Sequence, residues 1–505
     1  MLIYKLFRAG EHDFYTMKSS AECRMPIKVF NTLGRRYEIF ETLEPGLVKM
    51  YVCGPTVQDV AHLGHARTYI AFDAIIRFLE YYGYKVFYVR NITDVGHLRE
   101  ETGEDRVIEG ARRERLQPME LVDKYMFSFF QDMDALGIRR PNIQPRASMH
   151  ILDMIEMVKG LIERGYAYVV DGSVYFDVSA FPDYGKLSGI KYEELIKHRI
   201  EPDPRKRNPA DFALWKKAEK GYLLKWNSPW GEGFPGWHIE CCVMAMKYLG
   251  EQIDVHGGGQ ELILPHHENE IAQAEAYTGK KPFARYWLHT GYLTINGEKM
   301  SKSLGNFISI KDALKRYEAD VIRLFILSAH YRSQIDYNEN SLKQAKANLE
   351  RMREVLDQLH ELLEESEKRG EKPPEEVEAS KRRFVEAMED DFNTPRALAE
   401  IYGLVKLANA YLSSRSRHDA EVLKAYYDSI LELSKALGLL QDYEPRKMRL
   451  ETEAEKVLEI LLEVRSELRR RRLYDLSDSI RDKLAKIGIM VEDTAKGQRI
   501  RLRQE

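Results

Sequence analysis

The stretch from Leu47 to Arg90 constrains the fold of this chain more than any other. Leu47 to Cys53 is a short apolar strand and Gly54-Pro55 breaks it. Ala66 to Tyr82 then carries apolar residues at helical spacing until Gly83 stops the helix. Lys85 to Arg90 returns to strand character. A strand, a helix and a strand of these lengths predict a right-handed parallel crossover. The turn His62-Leu63-Gly64-His65 then falls at the carboxyl edge of the sheet, where open parallel sheets bind ligands.

A helix opening at that turn presents unpaired amides and its positive end to phosphate, while His62 and His65 can donate hydrogen bonds and Gly64 leaves room for a nucleotide. A second phosphate-handling motif lies further on. Leu293-Thr294-Ile295 reads as a strand, Asn296-Gly297 as a tight hairpin turn, and Glu298 to Ser303 as a basic loop. Lys299 and Lys302 on that loop can clamp a triphosphate and neutralise charge as pyrophosphate leaves. Alone, the first motif is a pair of structural histidines and the second a solvated lysine pair; together they point to ATP. Between them, strand-like Gln252 to Val255 leads into His256-Gly257-Gly258-Gly259, where missing side chains let backbone approach adenosine, with Asp254 as a neighbour.

Cys53, Cys241, His266 and Glu270 are interleaved with these motifs. If Pro265 opens a helix, His266 and Glu270 fall one turn apart on one face. Two thiolates, an imidazole and a carboxylate are all zinc donors. His267, Glu268, Cys242, His238 and Glu240 lie near enough in sequence to compete for the same roles. A soft, thiophilic metal beside a nucleotide-activating centre is a device for selecting a thiol substrate and spending ATP on it.

At 505 residues the chain exceeds what one core supports, so three or four domains are expected. A net charge of -3 argues against indiscriminate nucleic-acid binding and leaves room for local basic patches. Four cysteines, two of them adjacent at 241 and 242, make no disulfide framework and point to a reducing cytoplasm. No apolar run approaches the ~20 residues of a membrane span. Residues 1–26 lack the apolar centre of a secretory signal and read as an N-terminal extension.

Met50 to Val57, His62 to Arg67, Gly236 to Cys241, His256 to Gly259, Pro265 to Glu270 and Lys299 to Asn306 occur in the order of the blocks of one family. From about Ile27 to the carboxyl end the chain resembles the cysteinyl-tRNA synthetase family of class I aminoacyl-tRNA synthetases. The resemblance implies an α/β, Rossmann-like parallel-sheet catalytic domain over 27–310 with an insertion at about 110–230. It further implies a stem-contact connection (311–341), a helical bundle (342–447) and a small C-terminal α/β module that reads the anticodon (448–505). It selects Cys53, Cys241, His266 and Glu270 as ligands of one zinc per chain, and places Thr68 and Trp237 in the amino-acid pocket. It gives His62, His65, Lys299 and Lys302 the catalytic phosphate contacts, and sets Gly64, Asp254, His256, Gly257, Gly258 and Lys302 around ATP, which enters with Mg2+. Arg469, Arg470 and Asp493 are assigned to tRNA.

The implied activity is formation of cysteinyl-adenylate from L-cysteine and ATP, then transfer to the 2'-hydroxyl at the 3' end of tRNA(Cys), by a cytoplasmic, monomeric enzyme. Zinc selection of the thiol removes the need for an editing domain. Two alternatives are an ATP-dependent ligase joining cysteine to an amino sugar, which leaves Leu342 to Glu505 unexplained, and a catalytically silent RNA-binding relative. The chain departs from the family where Asn91 to Val95 continues as Gly96-His97 in place of a further acidic pair.

Overall fold

The computed structural model describes residues 25–95, 105–190, 203–300, 305–368, 370–414, 417–445, 450–486, 489–494 and 497–502. Most of the N-terminal extension, the Gly96-His97 departure and Lys302 lie outside them.

An antiparallel hairpin, β1 (Lys28–Asn31) with β2 (Arg36–Ile39), precedes the strand β3 (Leu47–Val52). The crossover follows as read from sequence. Helix α1 (Leu63–Tyr82) ends at Gly83, whose φ of 111° supplies the left-handed cap, and β4 (Lys85–Arg90) pairs in parallel with β3, Val52 opposite Arg90. Alternation along β3 divides the interior. Val48, Met50 and Val52 pack toward α1, whereas Tyr51 and Cys53 join the core on the opposite face.

The insertion comprises α2 (Arg106–Glu114), α3 (Pro118–Ala135) and α4 (Ile151–Glu163), then five strands: β5 (Ala167–Val170), β6 (Ser173–Phe176), β7 (Phe212–Lys217), β8 (Trp226–Ser228) and β9 (Gly231–Pro235). These make an antiparallel sheet in the order β5-β6-β7-β9-β8. The chain then re-enters the catalytic unit through α5 (Trp237–Leu249), β10 (Ile253–Gly259), α6 (Glu268–Thr278) and β11 (Ala284–Thr290). The completed parallel sheet runs β11-β10-β3-β4. Strand β10 extends through the glycine run, so those glycines belong to the sheet rather than to a turn.

Strand β12 (Leu293–Ile295) turns at Asn296 and Gly297, both with positive φ, into β13 (Glu298–Lys299). Helices α7 (Ile310–Leu314) and α8 (Ala319–Leu327) lead to β14 (Ile335–Tyr337), which pairs in parallel with β12. The helical section contains α9 (Glu339–Glu365), α10 (Glu375–Glu389), α11 (Thr394–Ser413) and α12 (Ala420–Ala436). The terminal module contains α13 (Leu450–Arg470), α14 (Tyr474–Lys486) and the hairpin of β15 (Ile489–Thr494) with β16 (Gly497–Leu502).

One buried guanidinium joins three of these parts. Arg323 on α8 donates to Asp73 of α1 at 2.6 Å, to the Leu136 carbonyl at 3.2 Å and to the Leu437 carbonyl at 3.1 Å. Gly438 has φ 76° and a Cβ there would stand 1.9 Å from Arg323 Nη2. Gly438→Ala is expected to cost about 3 kcal/mol, from left-handed backbone strain of about 1–2 kcal/mol and disruption of the buried charged hydrogen bonds. Gly403→Ala, inside α11 with open space at the new methyl, is the control, expected to stabilise slightly. Denaturant midpoints of the two variants check the contrast.

Candidate metal centre and phosphate motifs

Four side chains from three elements converge beneath the carboxyl edge of the sheet. Cys53 stands just past β3, Cys241 on α5, and His266 and Glu270 across the start of α6. His266 lies in the turn that follows Pro265, so the expected one-turn spacing holds. Its Nε2 lies 3.1 Å from Glu270 Oε1. Cys53 Sγ is 3.8 Å from Cys241 Sγ and 3.7 Å from Glu270 Oε1. All four are buried, with ligand atoms within 4.8 Å of one another. A tetrahedral zinc with bonds of about 2.3 Å to sulfur separates two sulfurs by about 3.8 Å. The residues therefore fit that metal in donor chemistry and spacing.

A second set, Cys53, His256, His267 and Glu270, meets the same distance criterion and shares two members with the first. Glu270 distinguishes them. Its Oε1 faces Cys53 and His266, while Oε2 is 2.8 Å from His256 Nε2. His256 is thereby placed to orient the carboxylate, as outer partners of metal ligands do. His267 Nε2 is 3.3 Å from Cys53 Sγ, and its Nδ1 is bonded to His289, which in turn bonds Thr32.

The four groups of the first set are strongly coupled, and metal binding there must displace protons. Burial works against charge on Glu270, but His256 and His266 beside it bring its pKa down to about 2. Burial likewise lowers the His266 pKa, yet Glu270 and Cys241 outweigh it and push it up to about 10. Cys53 donates to Cys241 Sγ at 3.8 Å, and the two thiols shift in opposite directions. Burial and the hydrogen bond to Cys241 raise Cys53, whereas the Cys53 bond and His266 overcome burial and bring Cys241 to about 6.

Among the competitors, Glu268 accepts from the amides of Gly185, Leu187 and Ser188 and so holds a loop of the insertion. Cys242 is fully buried and packs against the Glu270 carbonyl. Glu240 is buried outside both metal-capable sets, and burial raises its pKa. His238 Nδ1 lies 3.1 Å from His266 Nδ1.

Trp237, the first residue of α5, stacks on His266 with ring centroids 4.4 Å apart. The Thr68 hydroxyl is 3.0 Å from that of Thr290 at the end of β11. Both expected pocket residues thus border the cluster or the sheet edge beside it. Tyr51 was missed by the sequence reading. It lies fully buried, and burial with the charges of Cys241, Cys53 and Glu270 raises its phenol pKa. The signal was present, since residues two apart on a strand share a face and Tyr51 precedes Cys53 by two. His289 and Thr290 had no comparable signal beyond their place at a strand end.

The histidine turn is a helix cap. His62 Nδ1 accepts from the Gly64 amide at 3.1 Å, and His65 Nδ1 accepts from the His62 amide at 3.2 Å. Each ring therefore carries its hydrogen on Nε2 when neutral. Burial and the neighbouring His62 keep the His65 pKa well below the usual histidine range, so it is a neutral donor at physiological pH. A Cβ on Gly64 would stand 2.8 Å from the His62 ring and 3.5 Å from Met300 Cε. The two motifs are thus adjacent. Main-chain bonds tie them as well, from Leu63 to the Ile308 carbonyl and from Ile310 to the Ala61 carbonyl.

Two side chains expected beside ATP have protein partners of their own. Asp254 lies near the amino end of β10, and its carboxylate accepts from the amides of Leu43 at 2.6 Å and Lys49 at 2.7 Å, so it fastens the opposite edge of the sheet. The His256 side chain bonds Glu270 at 2.8 Å and stacks on Trp287 at 4.3 Å, beside the candidate metal cluster. Gly257 and Gly258 are also explained by packing. A Cβ would strike Phe72 of α1 at 2.2 Å in the first and His267 at 2.9 Å in the second. In the terminal module Arg469 pairs with Asp478, 3.8 Å away, and Arg470 with Glu467 at 2.8 Å. The side chain of Asp493 lies outside the described residues.

The parallel sheet with these two motifs at its carboxyl edge defines a class I tRNA synthetase, and residues 39–347 match the model for the "tRNA synthetases class I (C) catalytic domain". Residues 383–441 match a DALR domain. The chain belongs to the cysteine–tRNA ligase family. It is 47% identical over 480 residues to the Cysteine--tRNA ligase of Thermococcus gammatolerans, covering 94% of this chain and 98% of that protein. The Carboxydothermus hydrogenoformans Cysteine--tRNA ligase is 46% identical over 474 residues, covering 94% and 99%. In fold the chain is similar to Mycobacterium tuberculosis methionyl-tRNA synthetase in complex with methionyl-adenylate. The TM-score is 0.60 at 16% identity, over 82% of this chain and 94% of that one. None of the described helices is long and apolar enough to cross a membrane.

Proposed function

We propose that the chain activates L-cysteine with ATP and transfers the cysteinyl group to the 3' end of tRNA(Cys), with Cys53, Cys241, His266 and Glu270 holding one zinc ion in the amino-acid pocket. The observation that carries this reading is a buried sulfur–nitrogen–oxygen cluster whose Cys53 stands at the carboxyl end of β3, the strand that leads into the helix capped by His62 and His65. Bound there, zinc supplies a thiophilic Lewis acid that favours a thiolate over a hydroxyl. Thr68 and Trp237 border the substrate, and Trp237 shields it from water.

In the first step the cysteine carboxylate forms a bond to the α-phosphorus of ATP, and the bond to the pyrophosphate oxygen breaks. His62 and His65 donate from Nε2 to phosphoryl oxygens, while Lys299 and Lys302 neutralise the charge on the departing pyrophosphate with Mg2+. Gly64 lets the nucleotide lie close, and the carboxyl edge of β10 at Gly257 and Gly258 seats the adenosine. In the second step a terminal ribose hydroxyl attacks the adenylate carbonyl, releasing AMP. Catalysis is positioning and electrostatics, with no covalent enzyme intermediate. The segment 311–341 follows the acceptor stem and the bundle (342–447) spans toward the terminal module (448–505). There Arg469, Arg470 and Asp493 meet single-stranded anticodon bases, the form in which RNA sequence is readable.

Incubating the protein with ATP and labelled cysteine in the presence of either tRNA or an amino sugar tests this reading. Label on tRNA(Cys) is expected; label on the sugar, or cysteine-independent tRNA binding without pyrophosphate release, contradicts it.

A further inference from the structure

The segment Met388 to Pro395 is an acidic, aromatic break between two helices, and neither the metal centre nor the phosphate motifs use it. Asp391 and Phe392 within it both have positive φ, 59° and 54°. Two consecutive left-handed non-glycine residues persist only where their surroundings fix them. What fixes Asp391 is a set of partners outside the bundle. Its amide donates to the Lys28 carbonyl. Its Oδ1 accepts from the Phe30 amide and the Tyr331 hydroxyl, each at 2.8 Å. Its Oδ2 accepts from Arg332, Nε at 2.7 Å and Nη2 at 2.6 Å. Asp391 is 2% exposed.

Tyr331 and Arg332 belong to a short stretch, residues 330–333, that is gripped from its other side. Arg67, one residue before the pocket residue Thr68 and two after His65, is 1% exposed and points into the stretch from α1. Its Nη2 donates to the carbonyls of His330 at 2.7 Å, Tyr331 at 3.0 Å and Ser333 at 3.0 Å, and its Nη1 to Ile326 at 3.1 Å. Residues 330–333 in turn hold the start of the lysine hairpin. The Gly291 amide donates to the Tyr331 carbonyl, and a Cβ on Gly291 would meet the Ser333 oxygen at 2.3 Å. Two residues later β14 pairs with β12, the strand that runs into Lys299, and Thr290, the partner of Thr68, is adjacent to Gly291.

We propose that Asp391 of the helical bundle and Arg67 of the histidine-motif helix are positioning residues. By clamping residues 330–333 from two sides they set the Lys299 hairpin and Thr290 against His65 and Thr68. The inference rests on the reading that cysteine is activated here. Its physical basis is that neither side chain touches the metal cluster, yet each spends a buried charge on the one segment that supports both the lysine strand and the pocket edge. Removing one partner of such a pair leaves the other charge buried and uncompensated, so the arrangement resists displacement.

The test uses the full-length, zinc-loaded protein and two variants. Asp391→Asn keeps the shape and removes the charge. Arg332→Gln removes the partner, whose side chain is 28% exposed and so tolerates replacement. Each is expected to lower kcat for cysteine-dependent pyrophosphate exchange about tenfold with KM for cysteine and zinc content unchanged. The double variant should lose no more than either alone, as one shared clamp requires. Hydrogen exchange should quicken at the amides of 291–295 and not in α1. Wild-type exchange rates in both assays, or additive losses in the double variant with or without release of zinc, overturn the proposal. A wild-type protein without cysteine-dependent exchange instead defeats the functional reading, and the amide-exchange arm still decides the clamp.

Discussion

Replacing Cys241 with serine is expected to lower zinc affinity by at least about 100-fold, since changing even outer partners of a metal ligand costs 10–100-fold. Cysteine-dependent pyrophosphate exchange should fall with it. The structural reason is that Cys241 carries the sulfur brought to about 6 by its partners, so it supplies thiolate near neutral pH, and a serine hydroxyl does not. Metal uptake must also displace the proton that Glu270 and Cys241 hold on His266, whose pKa is about 10. Retention should therefore weaken as pH falls. Metal content after gel filtration, read beside the exchange rate, checks both. A variant that keeps its zinc and its activity removes Cys241 from the ligand set.

His65→Asn separates two jobs of one ring. The asparagine oxygen can still accept from the His62 amide, preserving the cap that Nδ1 makes, but nothing remains where Nε2–H stood. Cysteine binding should be retained while kcat for exchange falls about 10²–10³-fold, the loss of roughly 2.7–4 kcal/mol that removal of one transition-state donor brings. Because His65 is neutral through burial, its contribution is a hydrogen bond rather than a full charge. The wild-type rate should accordingly show no titration of this group at neutral pH or above. Near-normal exchange in the variant would leave His65 as a helix cap only.

The parallel crossover was legible because strand alternation, the Gly83 stop and the hairpin turn at Asn296-Gly297 are local features, settled by a few residues each. The spacing of His266 and Glu270 was legible for the same reason. The family resemblance supplied what spacing could not, the choice of Cys53 and Cys241 as partners separated by 188 residues. Asp254 and His256 stand beside a glycine run that reads as a nucleotide loop; the run is a buried strand, on one face of which Asp254, near the amino end, holds backbone amides and His256, two residues on, meets Glu270. Tyr51, His289 and Asp391 gain their roles only from elements brought together by folding. The antiparallel sheet of the insertion escaped because its strands are three to six residues long and separated by irregular chain.

The central claim is that a metal in the Cys53, Cys241, His266 and Glu270 cluster selects the substrate thiol. The most direct measurement compares kcat/KM for cysteine and serine in pyrophosphate exchange, first with the zinc-loaded protein and then after chelation. A pocket that relies on shape alone rejects such a near-isostere by only about 10–200-fold. The zinc-loaded protein is expected to discriminate by about 10⁴-fold or more, and chelation to abolish cysteine activation. Discrimination of about 200-fold or less with zinc bound, or a ratio that chelation leaves unchanged, would contradict the account.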